Sequence, residues 1–141
     1  MDDPFHLQRF VDAQDDIYET ALCELRQGRK QTHWMWFVFP QIAGLGHSSM
    51  TQRFAITGRD EARAYMGHPV LGPRLEQSCQ AVNAVRNRTA HEIFGTPDDM
   101  KFRSSMTLFR EASPLDGSVF EQLLGRYFAG EPDPRTLELL G

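Results

Sequence analysis

The run His33-Trp34-Met35-Trp36-Phe37-Val38-Phe39-Pro40-Gln41 decides the fold. Its apolar stretch, Trp34 to Phe39, suits a buried strand or a buried helix, and periodicity alone does not separate the two. The rest of the chain does. No second strand-like run is present to pair with it, and a lone strand is not stable. The reading is therefore a short helix stopped by Pro40, whose ring disfavours helical backbone at Phe39. That makes the chain all-α, a single compact multihelical domain over residues 1–141.

The flanking segments agree. From Leu7 to Arg26 the residues Phe10, Val11, Ile17, Ala21, Leu22 and Leu25 recur at helical spacing, and Gly28 ends the run. Ser48 or Ser49 reads as the N-cap of a helix through Ile56, and Asp60 as the cap of a helix from Glu61 to Met66. Pro69 to Val85 carries Val70, Leu71, Leu75, Cys79, Val82 and Val85 on one stripe. Thr96-Pro97-Asp98-Asp99 combines a hydroxyl cap, a proline in the first turn and acids at the positive end of the helix dipole, starting a helix to about Glu111. Asp116 starts another through Phe128, and Asp133-Pro134 opens a last one from Arg135 to Leu140.

Size and charge bound the function. The chain has 141 residues, 40% hydrophobic and 24% charged, which fits one soluble domain with a single core. The net charge of −4 argues against a general nucleic-acid or anionic-membrane binder, while leaving room for a local basic pocket. The two cysteines, Cys23 and Cys79, belong to no paired motif and read as reduced and buried; they suggest no metal site, and no cofactor motif is present. The acidic N-terminus has no apolar signal-peptide core and no run is long enough to span a bilayer. A cytoplasmic protein is the expectation.

Three segments carry candidate chemistry. Gly44-x-Gly46-x-Ser48-Ser49 leads into a helix start. Glycines permit close approach, and free N–H groups with hydroxyls attract an anion; a plain turn with a serine cap uses the same residues. It is neither a Walker loop nor a dinucleotide fingerprint. Gln41 stands just before it. Trp34 and Trp36 could stack on a planar ligand or serve the core, which is the usual place for large rings. Arg74, in His68-Pro69-Val70-Leu71-Gly72-Pro73-Arg74, is a charged fork suited to phosphate or to a surface ion pair. Gly72 in the first helical turn costs stability relative to Ala, which suggests close approach by a neighbouring helix or a ligand. Asp98, Asp99, Lys101, Ser104 and Ser105 form the third segment. Adjacent serines in mid-helix are poor helix formers unless their hydroxyls are used. The order Lys101-x-x-Ser104 reverses that of a serine acyl-enzyme.

Four long motifs in order make the chain similar to a bacterial family known as domain of unknown function 1810. They are HWMWFVFPQ at 33–41, GLGHSS at 44–49, EARAYMGHPVLGPRL at 61–75 and IFGTPDDMKFRSSMTLF at 93–109. The tail residues Phe120, Tyr127, Phe128, Gly130, Asp133 and Thr136 also fit. The resemblance implies a multihelical fold and no known activity. A much weaker resemblance links the order of segments to NADAR proteins, small helical domains of ADP-ribose and N-glycoside chemistry; no catalytic residue carries over by position.

Two classes of function follow. In the first, the chain binds a nucleotide-like, phosphate-bearing small molecule, with cleavage of an N-glycosidic bond as the associated chemistry. Asp98, Asp99 and Lys101 are then the candidate catalytic groups, and Asp98 or Asp99 the general base. Trp34, Trp36, Gln41, Gly44, Gly46, Ser48, Ser49, Arg74, Ser104 and Ser105 are the candidate ligand-binding residues. In the second, the chain is a non-catalytic interaction module and the motifs are mainly structural. Polar groups converging beside a Trp in a concave site favour the first; a flat exposed aromatic patch favours the second.

Overall fold

The structure is a computed structural model, and residues 2–114 and 116–141 are described. Trp34–Phe39 resolves as expected: Met35–Val38 is a four-residue helix and Phe39 leaves the helical region at φ −125°. Ten helices are present among the described residues. They are α1 Gln8–Asp15, α2 Tyr18–Gln27, α3 Met35–Val38, α4 Ser49–Arg53, α5 Arg59–Gly67, α6 Leu71–Ala84, α7 Ala90–Phe94, α8 Asp98–Ala112, α9 Val119–Phe128 and α10 Pro134–Leu140. Apart from helices, the regular pairing among the described residues is one isolated parallel bridge, Ile42 to Ile56. No described helix is long and apolar enough to cross a membrane.

Helix α8 is the hub. It packs on α9, α5, α7, α10 and α3. Its buried residues include Phe102, Met106, Leu108 and Phe109 and also Ser104, Ser105 and Thr107, so it is covered nearly all round. Phe102 meets Phe39 edge-on with ring centroids 4.9 Å apart and stacks on Phe94 at 4.5 Å. Phe109 touches Tyr65 at 5.4 Å and Phe120 at 5.6 Å. Complete burial of one such ring stabilises by about 2–3 kcal/mol, so these contacts set the position of α8 and hence of the polar residues at its start.

Several boundaries differ from the expectation, each for a local reason. The 7–26 helix is broken at Asp16 and Ile17, where Ile17 takes φ −122°. The break lets the buried Gln14 amide donate to Phe37 O at 2.7 Å and Tyr65 Oη at 3.0 Å. Helix α4 ends at Arg53, and Gly58 rather than Asp60 precedes α5. Thr96 is not a cap: its hydroxyl bonds His91 Nδ1 at 2.9 Å, and Pro97 precedes α8. Ser118 rather than Asp116 caps α9. Helix α7 lies outside the helices expected above, although its capping box of Thr89 with Glu92 is present in the sequence. Cys79 is buried, but Cys23 is exposed, against the expectation for both.

The loop carrying the glycines is closed at its neck. Ala43 N donates to Ile56 O at 2.8 Å and Ile56 N donates to Gln41 O at 2.9 Å. Ile42 and Ile56 are both buried. The segment between them, including α4, is thereby anchored beside the start of α8.

Candidate functional site

A cavity of about 220 Å³ lies where three segments distant in sequence meet. The neck and loop supply Gln41, Leu45, Gly46 and Thr51. The first turns of α8 and the residue before it supply Pro97, Met100, Lys101 and Ser104, and the start of α10 supplies Asp133 and Arg135. A smaller notch adjoins it, sharing Gln41 and Thr51 and adding Trp36, Ile42 and Phe54.

Each wall has a local cause. Asp133 Oδ2 accepts from Thr136 N at 3.1 Å and Thr136 Oγ1 at 2.5 Å, which caps α10. The same oxygen lies 3.0 Å from Ser104 Oγ, and Asp133 N donates to Thr107 Oγ1 at 2.9 Å. Arg103 adds bonds to Glu131 O at 2.9 Å and Pro132 O at 3.0 Å. The hydroxyls of α8 thus dock the last helix, which is the work that makes Ser104 and Thr107 tolerable in a buried helix.

The basic side of the cavity begins with Lys101. Its ammonium lies 5.4 Å from the Trp36 ring centroid and 3.6 Å from Asp98 Oδ1. Asp98 has a closer partner, Lys30, at 2.8 Å from Oδ2. One carboxylate therefore faces two ammonium groups, and the trio keeps a net positive charge. Arg135 contributes a second cation; its pair with Glu138, at 3.1 Å, has both side chains well exposed and so holds it weakly. The Gln41 side-chain amide has no hydrogen bond among the described residues, although its backbone oxygen does.

The sequence candidates divide accordingly. Gln41, Gly46, Lys101 and Ser104 line the cavity, and Trp36 stands beside it. Trp34 does not reach it: the residue is fully buried, its Nε1 donates to Glu24 Oε1 at 3.0 Å, and its ring packs near Phe39. Stacking of Trp34 on a ligand is thereby corrected to a core role. Arg74 is also elsewhere, at 3.4 Å from Asp15 Oδ1 and with its guanidinium 5.0 Å from the Tyr18 ring centroid. Ser105 is fully buried with no hydrogen-bond partner among the described residues. Ser48 caps α4, accepting from Thr51 N at 3.1 Å, and Ser49 is the exposed first residue of that helix. Gly44, at φ 102°, packs against Leu139 and so seats the loop on α10. Asp98 is occupied by two lysines, and Asp99 lies 3.7 Å from His91 Nδ1. Neither aspartate lines the cavity.

Sequence reasoning passed over Asp133 and Arg135 as site residues. Asp133-Pro134 was legible as a helix start, but nothing local shows that this start is folded back on α8. A larger hollow of about 400 Å³ lies over α2 and α6, lined by Arg26, Glu76, Gln77, Gln80, Ala81 and Ala84. It gathers only neighbouring faces of two packed helices and brings no distant loop together. No group of three or more potential metal ligands occurs among the described residues.

The geometry defines an all-α domain with a small, basic-rimmed cavity built from a clamped loop and the ends of two helices. By sequence it belongs to the family described as "Protein of unknown function (DUF1810)", which matches residues 4–140. It is similar in structure to the conserved hypothetical protein Rv1873 from Mycobacterium tuberculosis, with 51% identity, a TM-score of 0.95 and 98% of each chain covered. No curated protein matches the chain.

Proposed function

We propose that this protein binds a small phosphate-bearing molecule in the cavity between the 41–51 loop, the start of α8 and the start of α10. The observation that carries this reading is the convergence of Lys101, Arg135 and the unpartnered Gln41 amide on one cavity. Two cations around a concave site favour an anion, and an arginine fork suits the geometry of phosphate oxygens. The volume of about 220 Å³ limits the occupant. Sites for drug-sized ligands run from about 300 to 1,000 Å³, so the cavity accepts a phosphate with a short organic stem. A full nucleotide would place only its phosphate end inside and its remainder toward Trp36.

The paired state of Asp98 supports binding over acid–base work by that residue: in this reading Asp98 positions Lys101. Met100, 48% exposed at the rim, is the specific observation in favour of a protein-interaction module. A single exposed apolar side chain is not a patch, and the cavity reading stands ahead of it.

The test is calorimetry with inorganic phosphate, n-propyl phosphate, AMP, ADP-ribose and NAD. Wild type is expected to bind a phosphate-bearing probe in the millimolar range or tighter. Lys101→Ala and Arg135→Ala are each expected to weaken it by about 1–2 kcal/mol, near the lower end for a charge-assisted hydrogen bond, while Arg74→Ala leaves it unchanged. Absence of binding by every probe at millimolar concentration removes the proposal.

A further inference from the structure

Asp133 is an unusual neighbour for a phosphate. It lines the same cavity as Lys101 and Arg135 but forms no ion pair among the described residues. Its Oδ2 is used three times, by Ser104 Oγ, Thr136 N and Thr136 Oγ1. Its Oδ1 is used by none of the described residues. An ionised carboxylate accepts at both oxygens, so the cavity holds, on the same lining as its cations, a fixed acceptor with spare capacity. The Gln41 amide adds a further unpartnered donor and acceptor.

We infer, resting on the phosphate reading above, that the ligand is a hydroxylated organic phosphate, a short polyol or sugar phosphate whose hydroxyl donates to Asp133 Oδ1 while its phosphate faces Lys101 and Arg135. A plain phosphate leaves the carboxylate opposed by a like charge and without a donor. A ligand hydroxyl removes the second defect and separates the first in space. An ammonium in place of the hydroxyl would meet the carboxylate but also the two cations of the same small volume, which disfavours it. The hydroxyl therefore fits the whole charge set of the cavity.

Two measurements test this separately from the phosphate reading. In wild type, glycerol 3-phosphate and n-propyl phosphate differ in hydroxyls and little in size. The polyol phosphate is expected to bind roughly tenfold tighter or more, the equivalent of one charge-assisted hydrogen bond. The second uses Asp133→Asn, which keeps a side chain able to cap α10. It is expected to act with opposite signs: glycerol 3-phosphate weakens severalfold and n-propyl phosphate tightens severalfold, because an acceptor and a repelling charge disappear together. Equal affinities of the two phosphates in wild type overturn the inference while leaving the phosphate site standing. So does tighter binding of phosphoethanolamine than of glycerol 3-phosphate. Binding of neither glycerol 3-phosphate nor n-propyl phosphate, with inorganic phosphate also silent, overturns the site itself.

Discussion

Alanine at Gly72 is expected to lower stability, against the usual rule for a helix. Gly72 is the second residue of α6 and its φ is not positive, so intrinsic propensity alone favours Ala by about 0.8–1.0 kcal/mol. The surroundings decide otherwise. A Cβ built on Gly72 stands 2.2 Å from the backbone oxygen of Met66 and 3.2 Å from its carbon. A relaxed C···O contact is about 3.3 Å, so α5 and α6 must part by about 1 Å, and the obstructing atom is backbone in a helix end. Forced overpacking of this kind costs roughly 1–3 kcal/mol, occasionally more. An overlap of about 1 Å with backbone belongs in the upper half of that range, about 2–3 kcal/mol, so after subtracting the propensity gain the net loss is about 1–2 kcal/mol, or a fall of about 3–7 °C in Tm for a domain of this size. Gly125 is the internal control. It lies within α9, where a built Cβ meets no described atom within 4 Å beyond its own helix backbone and chain neighbours, and its φ is not positive, so Gly125→Ala should raise stability by about 0.5–1 kcal/mol. Denaturant and thermal unfolding of both variants check the pair. A Gly72→Ala protein as stable as wild type, or more so, refutes the argument from helix approach.

Glu24 sets an acid limit. Burial by itself raises its carboxyl, but bonds from Gln31 N, Thr32 N, Thr32 Oγ1 and Trp34 Nε1 outweigh this and hold it below the ordinary 4.5. A depressed folded value means stability that is present above the unfolded value and lost as pH falls through the folded one. Unfolding should therefore become easier below about pH 4.5, and Glu24→Gln should flatten that limb while costing about 1–3 kcal/mol at pH 7 through unmatched donors; an unchanged acid limb in urea titrations speaks against the assignment. Ser105→Ala should be neutral or stabilising by up to about 1 kcal/mol, since it removes a fully buried hydroxyl that has no partner among the described residues. A loss above about 1 kcal/mol in the same assay points to a hydrogen bond formed by Ser105 in solution.

What was legible in the sequence follows a physical division. The all-α class was readable because Trp34–Phe39 had nothing to pair with, and α6, α8 and α10 announced themselves by periodicity or by Pro and Asp at their starts. Gly72 signalled a close approach, and a neighbouring helix backbone supplies it. The division of 7–26 was hidden because the apolar spacing continues through Asp16 and Ile17, while the cause, burial of the Gln14 amide against Phe37 and Tyr65, is tertiary. The loop glycine Gly46 and the Lys101–Ser104 turn of α8 were singled out, and the structure places them on one cavity. Arg74 was equally suggestive by type, yet its charge is directed to Asp15. Charge and residue type indicate what a side chain can do; only packing shows what it faces.

The parallel bridge at Ile42 and Ile56 closes residues 43–55 into a loop, and its C-terminal end is further tied to the core by Phe54, buried against Phe10 and Phe37, and by Arg9, which donates to Arg53 O and Ala55 O. Substitutions inside it can reshape the mouth of the cavity while the buried isoleucines hold its ends to the core. Amide exchange should reveal this as a hierarchy, with the Ala43 and Ile56 protons slow beside faster ones in α4. Such an arrangement uncouples the tuning of a binding site from the cost of refolding the body that carries it. The exposed residues 47–49 are also where a longer or differently charged loop could be grafted with least effect on the helical core.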